Sequence, residues 1–196
     1  MAESTQEIYL ARHGETAWSL TGQHTGLTDL PLTPHGEQNA RALGQRLRGM
    51  EFAHVFASPL QRAARTAALA GFAAAIPDTD LTEWHYGDYE GKTTREIRQE
   101  RPDWDIFRDG CPGGESVTDV AARADRVVAR LRALDGHVLV FSHGHFLRVL
   151  AARWLALNAS AGRYLMLSTA ALSTVGYEHG PCDPVLRLWN DCRHVQ

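Results

Sequence analysis

Ile8-Tyr9-Leu10-Ala11-Arg12-His13-Gly14 is the stretch that decides the fold. A short apolar run enters two basic residues and a glycine, the pattern of a buried strand ending in a loop. Val55–Ala57 and Val138–Phe141 repeat it, the first leading into Ser58-Pro59-Leu60-Gln61-Arg62 and the second into Ser142-His143-Gly144. Helical signals lie between these strands. Thr33 followed by Pro34 is an N-cap with proline at the first helical position, and Ala40, Leu43, Leu47 and Met50 share one face beyond it. Ser58-Pro59-Leu60-Gln61 joins a capping box to a proline, predicting a helix that begins at once. Ser116-x-x-Asp119 opens another, with a stripe of Val117, Val120, Ala124, Val127, Val128, Leu131 and Leu134, stopped by Asp135-Gly136. The run from His145 to Leu157 reads as helix, and two or three further strands fall between Tyr164 and Asn190. Alternating strands and helices predict an α/β protein, a three-layer α/β/α sandwich around a mostly parallel sheet.

Composition narrows the function classes. The chain has 196 residues, 44% of them hydrophobic, enough for one core, so residues 1–196 are expected to form a single domain. A net charge of -3 provides no basic field for nucleic acid. Lys92 is the sole lysine beside many arginines, which reads as a coding bias. Cys111, Cys182 and Cys192 are odd in number and form no C-x-x-C pair, against a disulfide framework or a zinc ribbon. Met1-Ala2-Glu3-Ser4-Thr5-Gln6-Glu7 lacks the basic start and apolar run of a signal peptide, and no stretch is long enough to span a bilayer. The expectation is a cytoplasmic enzyme with no membrane or nucleic-acid partner. A homo-oligomer is left open.

Three separated segments now point to one place. Arg12-His13, Arg62 and His143 each follow the carboxyl end of a predicted strand, and in an open α/β sheet ligands bind at that edge. Two arginines and two histidines would converge in an acidic protein, a cluster that suits a phosphate. Taken singly, each signal is modest, since a histidine at a strand end or an arginine in a first helical turn is commonly structural. A zinc set of His13, His143 and His145 is the competing reading, but arginines beside a zinc ion would be repulsive. No metal and no cofactor is expected.

The combination is specific. Leu10-Ala11-Arg12-His13-Gly14-Glu15-Thr16 resembles the R-H-G-[EQ]-[TS] signature of the histidine phosphatase, or phosphoglycerate mutase-like, superfamily. Ser58-Pro59-Leu60-Gln61-Arg62-Ala63 with Thr66-Ala67 is similar to its second element, Leu81 through Glu90-Gly91 to the segment that supplies the acid, and Phe141-Ser142-His143-Gly144 to the second-histidine element. Trp189-Asn190 also fits, so the resemblance covers nearly the whole chain. It implies that His13 is a nucleophile forming a phosphohistidine, with Arg12, Arg62 and His143 around the phosphoryl group and Glu83 as acid and base. The chemistry is consistent with these residue types. Arginine forks match phosphate oxygens. His13 must be neutral, its second ring nitrogen held by a partner such as a backbone carbonyl in the Gly14 turn, whereas His143 is most useful protonated. A nearby phosphate dianion favours a protonated carboxyl by like-charge repulsion, which lets Glu83 protonate the leaving oxygen. Glu15 and Glu90 are rival carboxylates, with Glu15 the more structural.

Within the superfamily the chain resembles the yeast-type sedoheptulose-1,7-bisphosphatase group, in Trp18-Ser19 through Thr33-Pro34, Glu83 through Gly91, Trp104 through Cys111, and His143-Gly144-His145 with Leu147-Arg148. Ser19, His24, Thr25, Gly26, Tyr86, Arg108 and Gly144 are the expected substrate-binding residues, His24 being equally readable as a solvated loop residue. Where phosphoglycerate mutases grip a carboxylate with lysine and paired arginines, this chain has Thr94 and Arg108-Asp109. The resemblance therefore implies a phosphatase of small sugar phosphates or bisphosphates. Phosphoglycerate mutase is the alternative, and a non-catalytic phospho-ligand binding protein is a third reading.

Overall fold

The structure, a computed structural model, describes residues 6–195, so the leaderless reading of Met1–Thr5 falls outside the described residues. Six strands form one sheet: β1 (Glu7–Arg12), β2 (His54–Ala57), β3 (Ile76–Pro77), β4 (Val138–Ser142), β5 (Leu172–Tyr177) and β6 (Pro184–Asp191), in the order β3-β2-β4-β1-β5-β6. The pairs β3-β2, β2-β4 and β4-β1 are parallel, whereas β1-β5 and β5-β6 are antiparallel. The sheet is thus mixed, with a parallel half that carries the expected site.

Side-chain alternation along the strands explains the layers. In β4, Val138 and Val140 face one core together with Ile8 and Leu10 of β1. Leu139, Phe141 and Ala11 face the other. The first core is covered by α6 (Val117–Arg132) and α7 (Gly144–Trp154), the second by α2 (Pro34–Arg46) and α3 (Gln61–Leu69). Every residue of β4 and β5 is buried, as strands covered on both faces must be. Three short helices, α1 (Ala17–Thr21), α4 (Thr94–Glu100) and α5 (Ile106–Asp109), sit in the connections.

Local signals set most helix starts. Thr33 caps α2 by accepting from Gly36 N at 2.9 Å, with Pro34 at the first position, although Met50 lies past its end. Ser116 and Asp119 form the expected capping box on α6. Ser58 departs from expectation: α3 begins at Gln61 and its cap residue, Leu60, makes no side-chain cap. The Ser58 hydroxyl is 2.8 Å from His143 Nε2, satisfying a buried ring, while Asp29 accepts from Gln61 N at 2.8 Å. A long-range polar need displaces the local cap.

Candidate active site

Because β1, β2 and β4 are parallel, their carboxyl ends meet at one edge, and His13 continues β1 by donating its N–H to Ser142 O at 3.0 Å. His13 is 4% exposed. Its Nδ1 lies 2.7 Å from Gly14 O. A carbonyl only accepts, so Nδ1 carries the proton and the lone pair rests on Nε2. Gly14 is required for close approach: a Cβ there would stand 2.4 Å from Gly36 O. Burial, then the charges of Arg12 and Arg62, hold His13 well below the usual histidine range, so the ring is neutral.

A cavity of about 250 Å³ opens over His13, Arg12 and Glu83. Arg12 Nη1 donates to Leu167 O at 2.6 Å, and its Nε is buried without an acceptor. Gly144 keeps this guanidinium accessible, since a Cβ there would come within 3.1 Å of its Cζ. Glu83 is 5% exposed and sits at the N-terminus of α7. Its Oε1 accepts from Trp84 N at 2.9 Å and Phe146 N at 2.8 Å, and its Oε2 from His145 N at 3.1 Å. The rival carboxylates are structural. Glu15 accepts from Thr33 Oγ1 at 2.6 Å, and Glu90 accepts from the N–H groups of Gly26 and Thr28.

Arg62 and His143 reach the same place but lie below the cavity surface. Both are fully buried and neither lines it. Arg62 uses four of its five N–H donors on protein: Nε on His143 Nδ1 at 3.1 Å, and the rest on the carbonyls of Thr25, Gly26 and Thr28. His143, accepting at Nδ1, donates from Nε2 to Ser58. Burial and the guanidinium of Arg62 push it well below the usual range. It is therefore neutral, contrary to the expected imidazolium, because a guanidinium donor can only meet a bare ring nitrogen. Its ring centroid lies 5.2 Å from that of His13.

The expected substrate-binding residues divide. Ser19, His24, Thr25, Tyr86 and Gly144 line the cavity. His24 is not a solvated loop residue: its ring centroid is 4.7 Å from that of Tyr86, and burial pushes its pKa down to about 4. Gly26 does not line the cavity; it is packed against Trp84 and Glu90, with no room for a Cβ. Arg108 is a correction. Its side chain is 55% exposed and paired with Asp109 at 2.9 Å, on a short helix that turns both away from the cavity. Of the mutase comparison, only Thr94 remains at the site, 3.3 Å from His24 Nε2.

Six lining residues lie outside the expected set, Gly22, Gln23, Thr94, His145, Arg148 and Leu167, and of these His145 and Arg148 bring ionisable side chains. Tyr86 Oη is 2.6 Å from His145 Nδ1. Arg148 spends Nε and one Nη2 proton on the carbonyls of Gly162 and Arg163, and burial lowers its pKa to about 10. The signal was available: Arg148 stands at i+4 from Gly144, on the same helix face. Among the described residues, no three His, Cys, Asp or Glu side chains gather at metal-ligand spacing.

The profile of the histidine phosphatase superfamily (branch 1) matches residues 8–192. An acid phosphatase of Mycobacterium tuberculosis is 43% identical over 184 residues, covering 92% of this chain and 91% of that protein. Sedoheptulose 1,7-bisphosphatase of Saccharomyces cerevisiae is 39% identical, covering 81% of this chain and 70% of that protein. The solved structure of a Mycobacterium tuberculosis open reading frame superposes with a TM-score of 0.90 at 42% identity, over 94% of this chain and 97% of that one.

Proposed function

This chain belongs to the histidine phosphatase superfamily (branch 1), and from that premise we propose that it hydrolyses a small sugar bisphosphate through a phosphohistidine on His13. The observation that carries the substrate class is a pair of guanidinium groups in one cavity. Arg12 lies beside Gly144, and Arg148 stands one helical turn further along α7, about 6 Å along its axis. A ligand with two anionic ends engages both, while a neutral tail leaves the remaining donors of Arg148 without an anion. The 39% identity to a sedoheptulose bisphosphatase supports the same class.

The chemistry runs on this chain's own side chains. Arg12 binds the non-bridging oxygens of the reacting phosphate. The Nε2 lone pair of His13 attacks phosphorus, the ester P–O bond breaks, and Glu83 passes its proton to the departing sugar oxygen. Water then attacks the phosphohistidine, Glu83 takes the water's proton, and inorganic phosphate leaves with His13 restored. Arg62 and His143 act from beneath. Arg62 adds its charge to burial and to Arg12 in keeping His13 neutral, and its bonds to three carbonyls shape the 25–28 loop.

The test is phosphate release from sugar mono- and bisphosphates in the presence of EDTA, beside an assay for isomer interconversion of 3-phosphoglycerate with primer. Hydrolysis that favours bisphosphates and survives the chelator is expected. Fast primer-dependent interconversion would overturn the substrate class, and activity lost to EDTA and restored by a divalent metal would overturn the chemistry.

A further inference from the structure

Glu83 sits on no regular element. It lies between 3-10 turns at Thr79–Leu81 and Gly87–Tyr89, so no helix or strand fixes its main chain, although the N–H groups of Trp84, His145 and Phe146 hold the carboxyl tip. Proton transfer nevertheless needs the acid within hydrogen-bond reach of the leaving oxygen. Two residues that line no part of the cavity hold this segment from either side.

Arg123, on α6, is 8% exposed. Its Nη1 donates to the carbonyls of Asp80 at 2.9 Å and Thr82 at 2.6 Å, and its Nη2 to that of Glu83 at 3.3 Å. Glu115, just before α6, takes the other side. Its Oε2 accepts from His85 N at 2.8 Å, its own N–H donates to His85 O at 2.9 Å, and its carbonyl accepts from Trp84 Nε1 at 2.9 Å. The two side chains are joined through paired contacts of 2.9 and 2.7 Å. The guanidinium also lies 4.4 Å from the centroid of Phe146, whose N–H donates to Glu83. An apolar pair would fill this volume without the desolvation cost, but would leave these carbonyls and N–H groups unmet.

We propose that Arg123 and Glu115 form a clamp that positions Glu83 for proton transfer, acting through the backbone without touching substrate. The proposal rests on Glu83 being the acid. Arg126 and Arg130 follow on the same side of α6, but they are exposed and reach only the carboxylates of Asp80 and Asp78. Phosphate capture by Arg12 and His13 does not pass through the clamp. Loosening it should therefore lower the rate with poor leaving groups and leave KM and good leaving groups nearly alone.

The experiment compares Glu83→Gln, Arg123→Lys, Glu115→Gln and Arg126→Ala on a sugar bisphosphate and on p-nitrophenyl phosphate. Formation of the phosphoenzyme is followed in single turnovers, so that its hydrolysis cannot mask the first step, and thermal unfolding checks each fold. The two clamp variants should lose about 10- to 100-fold on the bisphosphate and less than about threefold on p-nitrophenyl phosphate, a misplacement cost without a binding cost. Arg126→Ala should match the wild type on both. Should Arg123→Lys not fold, Glu115→Gln, which keeps size and loses charge, decides alone. Uniform losses or none in the clamp variants, with Glu83→Gln selective, overturn the clamp and leave the acid standing. Equal losses in Glu83→Gln overturn the acid assignment and the clamp with it.

Discussion

The floor of the cavity and its wall are built by different means. On the floor and just beneath it, Arg12 and His13 end a strand, Arg62 begins a helix and His143 precedes one; backbone carbonyls hold Arg12, His13 and Arg62 at 2.6–3.0 Å, and the side chains of Arg62 and Ser58 hold His143. On the wall, Ser19, His24, Thr25, Tyr86, Thr94 and Arg148 come from separate loops and helices; Tyr86 and His24 meet His145 and Thr94 through side chains, while backbone carbonyls hold Ser19 and Arg148. In the proposed mechanism the floor serves a phosphoryl group, which is the same in every substrate. The wall faces the part that varies. A shared group is best met by preorganised backbone and guanidinium donors, whereas loops can change recognition without disturbing strand ends.

Substitutions can break that division, and the floor should be the costlier place. His13→Ala should remove at least about 10^4-fold of turnover, because nothing else in the cavity is placed to attack phosphorus. Acid-labile phosphate trapped during turnover should map to His13 in the wild type and vanish in the variant. Near-normal activity in the alanine variant would place the nucleophile elsewhere.

On the wall the expected loss is smaller and depends on the substrate. Arg148→Met keeps the packing over Phe107, 4.4 Å away, while deleting the charge. It should cost about 10- to 100-fold in kcat/KM on bisphosphates, the worth of a charge-assisted contact, and little on monophosphates. Equal losses on both would move Arg148 from recognition to structure.

Floor and wall share one liability. His13 and His143 below, and His24 and His145 above, all have lowered pKa values, with burial the first cause in each. The folded rings stay neutral where an unfolded chain, with pKa near 6.5, binds protons. Stability is therefore full above about pH 6.5 and falls as the pH drops below it, since the unfolded state then holds more protons. The Tm should decline between pH 7 and 5. His24→Phe, which keeps a ring against Tyr86 and Trp104, should shallow that decline. An unchanged slope would remove His24 from the proton count. The smallest effect is expected outside both regions: Arg108→Ala should stay within about twofold of wild type on every substrate, because its pairing with Asp109 is solvent-exposed.

Sequence legibility followed the same boundary. Each floor element is a run of adjacent residues whose chemistry is visible in order: an apolar strand, then Arg12-His13-Gly14, with the Gly14 carbonyl already a candidate to fix the tautomer. Helix caps at Thr33 and Ser116 were equally readable, because a cap is a contract among four neighbouring residues. Ser58 misled because its partner, His143, is 85 positions away. Arg62 was expected to present open donors, yet spends them on carbonyls 34 to 37 positions earlier.

What the sequence determined by itself was the layered α/β fold and the family, with His13 singled out as the proposed nucleophile, since strand periodicity, caps and the R-H-G turn are all local patterns. Tertiary structure decided which groups line the cavity. It admitted Arg148 and His145, turned Arg108 outward, sank Arg62 and His143 beneath the surface, and set Arg123 and Glu115 around Glu83. The physical reason is that a side chain's orientation and hydrogen-bond partners depend on whichever distant segments pack beside it, and spacing along one chain does not encode that.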